Sequence, residues 1–264
     1  MSKSKIRFAS SGKTAAVAVC LIGAVFTAPA AWAGFQTIDL SGIVNAPFAG
    51  EINGSTFPTG NQTYNGVPVN IANVASSSGY NNFWTGGGSQ FAAAGTYSVA
   101  IPFNDVMNVT NVYTMINTLW GQVGTTGILG ITFTAGNGGA SYSQDLIDGS
   151  NVRDYNLLYG DAINGTTTKQ AFANGLGQVL DMQDYTLPSY FLTDGLAGIT
   201  LTENGGPNYE KAMFNALTLQ TAPVPGGTSV PEPSSLALFG IALLGLMVSA
   251  GRRGWVGEKN VNHK

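Results

Sequence analysis

Asp145, Asp148 and Asp154 stand within one short acidic turn region, Asp145-Leu-Ile-Asp148-Gly-Ser-Asn151 followed by Arg153-Asp154. Carboxylates, asparagine amides and backbone carbonyls are the oxygen ligands that a hard cation takes, so the three aspartates are candidate calcium ligands. Their spacing does not follow the helix–loop–helix calcium pattern, and solvated turn acids are the competing reading. A second stretch, Tyr80-Asn-Asn-Phe-Trp84-Thr-Gly-Gly-Gly88, offers aromatic faces beside amides. A pyranose presents its C–H face to an aromatic ring and its hydroxyls to amides, so Tyr80, Asn82 and Trp84 are the candidate ligand-binding residues. Trp84 either stacks on a ligand or plugs the end of the fold.

Other chemistry is excluded by what is missing. The sole histidine is His263 and the sole cysteine is Cys20, both outside the stretch from 34 to 222. That stretch has no Ser-His-Asp triad, no Cys-His pair and no His- or thiolate-based metal site. A glycosidase would need only two carboxylates across a cleft, but twelve acids between 34 and 222 offer so many pairs that none is singled out. Non-catalytic is the expectation. The same stretch holds three bases, Arg153, Lys169 and Lys211, against those twelve acids. Without a basic footprint it is not expected to bind nucleic acid. Arg153, beside Asp154 and Tyr155, reads as a geometric anchor that pairs with an acid at a strand end.

The elements that must position these residues read as strands. Tyr97, Val99, Ile101 and Phe103 alternate with small or polar residues, as do Ile131 and Phe133, Ile199 and Leu201, and Leu217 and Leu219. Period two with Thr on the wet face marks half-buried strands. Val112-Tyr-Thr-Met-Ile116 is apolar on both parities and reads as a central strand, and Trp120, which follows it, reads as core. Turn pairs such as Asn65-Gly66, Asp148-Gly149, Asp194-Gly195 and Asn204-Gly205 supply positive φ between the runs. About ten short strands and no long helix predict an all-β chain, a single antiparallel β-sandwich of jelly-roll type over 34–222.

The two ends carry addresses. Residues 1–33 open with basic residues, continue with an apolar run and end in Ala31-Trp32-Ala33, which predicts a signal peptide cut after Ala33 by signal peptidase. A linker over 223–230 follows the domain. Residues 234–250 form an apolar run, and Arg252 and Arg253 close it on the cytoplasmic side, which predicts a transmembrane helix and a tail over 255–264.

Pro231-Glu232-Pro233, the apolar span and Arg252-Arg253 together, over 231–254, resemble the PEP-CTERM sorting signal. The resemblance implies a secreted Gram-negative protein, transiently anchored in the inner membrane and processed by an exosortase. It also implies a place on the cell surface or in the extracellular matrix, often alongside exopolysaccharide. The phrases Ile38-Asp-Leu-Ser-Gly42, Val112–Gly121 and Tyr209–Leu219 resemble a galactose-binding-like sandwich, similar to some carbohydrate-binding modules. That resemblance implies sugar binding and, in some such modules, structural calcium. A structural or adhesive surface protein without a specific ligand is the alternative, and a carboxylate-dependent glycoside hydrolase the third.

Overall fold

The computed structural model describes residues 34–52, 57–77, 79–160, 162–205 and 210–223. All lie in one compact unit, Ala30–Thr228. The expected signal peptide with Ala31 and Ala33, the stretch resembling the sorting signal, the expected span over 234–250 and His263 lie outside the described residues. Among the described residues no helix is long and apolar enough to cross a membrane.

The strands are β1 (Gly34–Ile38), β2 (Gly60–Tyr64), β3 (Val67–Ile71), β4 (Val74–Ser76), β5 (Gly79–Asn81), β6 (Tyr97–Val106) and β7 (Val109–Leu119). They continue with β8 (Leu129–Ala135), β9 (Ser141–Leu146), β10 (Thr168–Ala173), β11 (Val179–Thr186), β12 (Leu196–Glu203) and β13 (Lys211–Thr221). Two single-turn α-helices, α1 (Phe48–Glu51) and α2 (Tyr190–Asp194), and a 3-10 turn over Gly86–Gly88 interrupt them. One large sheet runs β1-β13-β7-β11-β10 and a second β6-β12-β8-β9, while β2-β3 and β4-β5 form two-stranded sheets of their own. Every pairing in both large sheets is antiparallel.

The pairings are nested. β1 lies against β13, β6 against β12, β7 against β11, and β8 against β9. A long hairpin rolled into two sheets gives this order, and it is the jelly roll. β7 sits in the middle of the five-stranded sheet, where its apolar residues on both parities place it.

Alternation explains which side each residue faces. Val112, Ile116, Leu217 and Leu219 meet Ile131, Phe133, Ile199 and Leu201 between the sheets. Met115, Leu119, Leu180, Met182 and Met213 point the other way, into a second cluster with Phe48, Ile52, Val69, Ile71 and Phe83. The segment carrying α1, β2 and β3 thus covers the outer face of the five-stranded sheet. Fully burying one such side chain contributes about 1.5–3 kcal/mol. Asn65 (φ 52) and Gly66 (φ 82) make the tight turn between β2 and β3.

Two ion pairs are locked inside. Arg153 Nε and Nη2 each donate at 2.8 Å to the carboxylate of Asp181. Lys211 Nζ donates to Glu203 Oε1 at 3.0 Å and to the Gly86 carbonyl at 3.1 Å. Both pairs are almost fully buried, so removing one member would strand a charge in the interior.

Candidate functional site

The stretch Tyr80–Trp84 does not form a ligand face. Tyr80 lies on β5 and is exposed, but Asn82 and Trp84 are buried. Asn82 Oδ1 accepts the Phe48 N–H at 3.1 Å, and its Nδ2 donates to the Ala72 carbonyl at 3.1 Å. Its amide is spent on holding the chain together. Trp84, only 6 % exposed, exchanges backbone hydrogen bonds of 2.8 and 3.1 Å with Phe214 on β13 and enters the inter-sheet core. Its sequel Gly86 runs so close to Glu203 and Tyr97 that a Cβ there would collide with both. The Gly run serves close packing against a buried lysine–glutamate pair.

Trp120, expected in the core, reaches the surface. It follows β7 directly with φ 60, a left-handed conformation that a bulky residue adopts only when its surroundings impose it. The imposing contacts come from the 153–156 segment. Thr118 N–H donates to the Arg153 carbonyl at 2.9 Å and Tyr155 N–H to the Thr118 carbonyl at 3.0 Å. The carboxylate of Asp154 then accepts the Gly121 N–H at 3.0 Å and the Asn156 N–H at 2.7 Å, one on each oxygen. Gly121 must be glycine, because a Cβ there would collide with the Asp148 carboxylate and the Thr118 hydroxyl.

Held this way, the indole stands 37 % exposed between two other exposed rings. Phe91 lies 6.3 Å from it, centroid to centroid, tilted by 50°. Tyr159 lies 5.7 Å away, tilted by 53°. Phe91 is positioned by Glu51 of α1, whose Oε2 accepts the Gln90 N–H at 2.8 Å and the Ser89 hydroxyl at 3.0 Å. Tyr159 is positioned by the turn in which its N–H donates to the Asn156 carbonyl at 3.0 Å. The three rings, with Gln90, Asp154 and Asn156, line one concavity of about 150 Å³. A larger cleft of about 390 Å³ runs between β1 and β6, but Phe103 is its one aromatic. Another of about 350 Å³ borders β9 and β11, and its tyrosine rings, Tyr142 and Tyr185, already pack on Phe133.

The acidic residues divide. Asp145 is exposed on β9. Asp148 and Asp154 are buried, and Glu210, which sequence reasoning did not single out, is buried with them. Asp148 Oδ2 accepts the Thr118 hydroxyl at 2.6 Å, whereas Asp148 Oδ1 and Glu210 Oε1 have no hydrogen-bond partner. Burial pushes Asp154 up to about 7, against the pull of its backbone N–H donors, and the charge of Asp148 adds to the rise. Burial pushes Glu210 up to about 7 as well, with Asp148 and Asp154 contributing. Asp148 is raised by burial and partly restored by Thr118. Among the described residues no three metal-ligating side chains converge on one point. The trio Asp145, Asp148 and Asp154 is therefore not assembled. Arg153, adjacent to Asp154 in sequence, turns its guanidinium to Asp181 and Gln170, which anchors the 153–156 segment on β10 and β11.

Sequence reasoning missed Phe91, Trp120 and Tyr159 as a set. They are dispersed over 69 positions, from 91 to 159, and no local pattern links them. The one local signal is Trp120-Gly121 at the end of the β7 run.

Residues 229–253 match the family model described as the PEP-CTERM protein-sorting motif. No curated protein and no solved structure matches the chain. The galactose-binding-like resemblance accordingly reaches the sandwich architecture and no further. The sorting motif implies export, membrane anchoring before processing, and processing by an exosortase. The chain is thus an antiparallel jelly-roll sandwich carrying a PEP-CTERM sorting motif at its C-terminal side.

Proposed function

We propose that this is a non-catalytic surface or matrix protein that associates with polysaccharide through the Phe91–Trp120–Tyr159 face. The observation that carries the reading is Trp120, held at φ 60 with its indole at the surface between two exposed rings. A left-handed tryptophan costs of order 1–3 kcal/mol of backbone strain, and the Asp154 brace that maintains it serves to display the ring. Aromatic display beside the amides Gln90 and Asn156 is the composition that sugar recognition uses. The buried Asp154 spends both carboxylate oxygens on backbone N–H groups, which supports a bracing role over an acid–base one.

The test is retention of the full chain on exopolysaccharide from the producing cells, compared with Trp120→Gly. Saturable retention that is lost in the variant supports the reading, and equal retention by both overturns it.

The second reading, adhesion without a specific glycan, is favoured by the apolar side chains exposed across the same unit. Leu158, Val123 and Leu176 are 86 %, 63 % and 68 % exposed. Concentration-dependent self-association without glycan retention would support it.

A further inference from the structure

We propose that the concavity bounded by Phe91, Trp120 and Tyr159 is an ammonium-binding site, and that its ligand is a polysaccharide of amino sugars with free amines. This rests on the glycan-binding reading above and deepens it by naming the substrate class.

Three observations carry it. The first is the arrangement of rings. Phe91 and Tyr159 flank Trp120 at 6.3 and 5.7 Å with tilts of 50° and 53°, so three π systems border one concavity. The negative face of an aromatic ring attracts a cation, tryptophan most strongly, and several rings around one cavity are the usual cradle for ammonium groups.

The second is the charge beneath the rings. Asp154 lines the concavity and is fully buried. Asp148 and Glu210 are buried close enough to act on its charge and on each other's. One oxygen of Asp148 and one of Glu210 have no hydrogen-bond partner. Burial pushes Asp154 and Glu210 up to about 7, a bound ammonium favours their ionised forms, and in a low-dielectric interior the field of an ionised carboxylate is poorly screened by water.

The third is where the bases go. Arg153 is turned to Asp181 and Lys211 to Glu203, each inside the protein. The remaining base among the described residues, Lys169, is exposed on β10. Neither of these ion pairs includes Asp148, Asp154 or Glu210, and Asp154 is the one of the three acids that lines the concavity. A uronate or sulfated glycan meets repulsion there. A neutral glycan gains stacking alone. A protonated amino sugar gains stacking, the cation–π attraction and the field together. At about 150 Å³ the concavity is smaller than a pocket that encloses a drug-sized ligand, which suits one charged sugar unit of a chain lying across the surface.

The test uses the full chain in a polyoxyethylene detergent, which has no sugar headgroup to compete. Three ligands of equal length are titrated calorimetrically: a glucosamine hexasaccharide, its fully N-acetylated form, and a uronate hexasaccharide. The free-amine form is expected to bind about tenfold more tightly than the acetylated form, with the advantage shrinking as salt is raised. Phe91→Leu keeps an apolar side chain but removes a π face, on a residue 70 % exposed. It is expected to lower the amine-to-acetyl ratio several-fold while the melting temperature stays unchanged. Equal binding of the two glucosamine forms overturns the ammonium site and leaves the glycan-binding face standing. Tightest binding of the uronate overturns the ammonium site as well. No binding of any of the three overturns both.

Discussion

Trp84 and Trp120 are each followed closely by glycine, and each stands next to a strand or bridge that pairs with β13. Their fates are opposite. Trp84 is sewn to Phe214 by two backbone hydrogen bonds and disappears between the sheets. Trp120 sits one residue beyond the end of β7, where the 153–156 segment bends the chain into a left-handed turn and lifts the indole out. Loop composition did not decide exposure. The decision lies with the distant backbone that each segment pairs with, β13 for one and the Asp154 brace for the other.

The two tryptophans are expected to differ most in what they contribute to stability. Trp84→Ala empties a site in the inter-sheet core and is expected to destabilise by about 3–5 kcal/mol, read as a large fall in chemical-denaturation midpoint. Asp181→Ala should cost a similar 3–5 kcal/mol, because it leaves the Arg153 guanidinium buried without its carboxylate. It should also loosen the 153–156 segment, so near-UV circular dichroism of the tryptophans reports the change at Trp120.

A smaller effect is expected from Gly121→Ala. The new Cβ meets the Asp148 carboxylate and the Thr118 hydroxyl, and relieving it moves the brace, at about 1–3 kcal/mol. Exposure of Trp120, measured by fluorescence quenching, should change with it.

The pH dependence has a definite sign. Asp154 and Glu210 rise from ordinary values of 3.8 and 4.5 to about 7 in the fold. The folded state therefore binds their protons more tightly than the unfolded chain does. Their stabilising contribution is complete below about pH 4 and is lost as pH climbs through 7. The melting temperature is expected to fall between pH 4.5 and pH 8, checked by scanning calorimetry in buffers of constant ionic strength. Glu210→Gln should flatten that decline, and a rise in melting temperature over the same window in the wild type would contradict the burial of these acids as the controlling term.

Much of the fold was legible in the sequence. The alternation at 97–103, 131–134, 199–202 and 217–220 became β6, β8, β12 and β13. The two-sided apolar run at 112–116 became the central β7 because both faces of its sheet are covered. β11 was not legible, since Asp181 and Gln183 interrupt its apolar pattern. Their partners, Arg153 and Asn117 for the one and Thr114 for the other, come from segments far away in the chain. The platform was hidden for the same reason. Trp120 reads as the continuation of a buried strand, and only the parallel bridge between Thr118 and Asp154 turns it outward. Asp154 itself reads as a turn acid, yet accepting two backbone N–H groups takes it inside.

On the proposed reading Trp120 is displayed to hold glycan and is not needed for folding. Trp120→Gly tests it most directly, because glycine adopts φ 60 without strain. In this variant retention on the exopolysaccharide is expected to be lost while the melting temperature is unchanged or slightly raised. Retention equal to wild type, or a collapse of the fold, would contradict it.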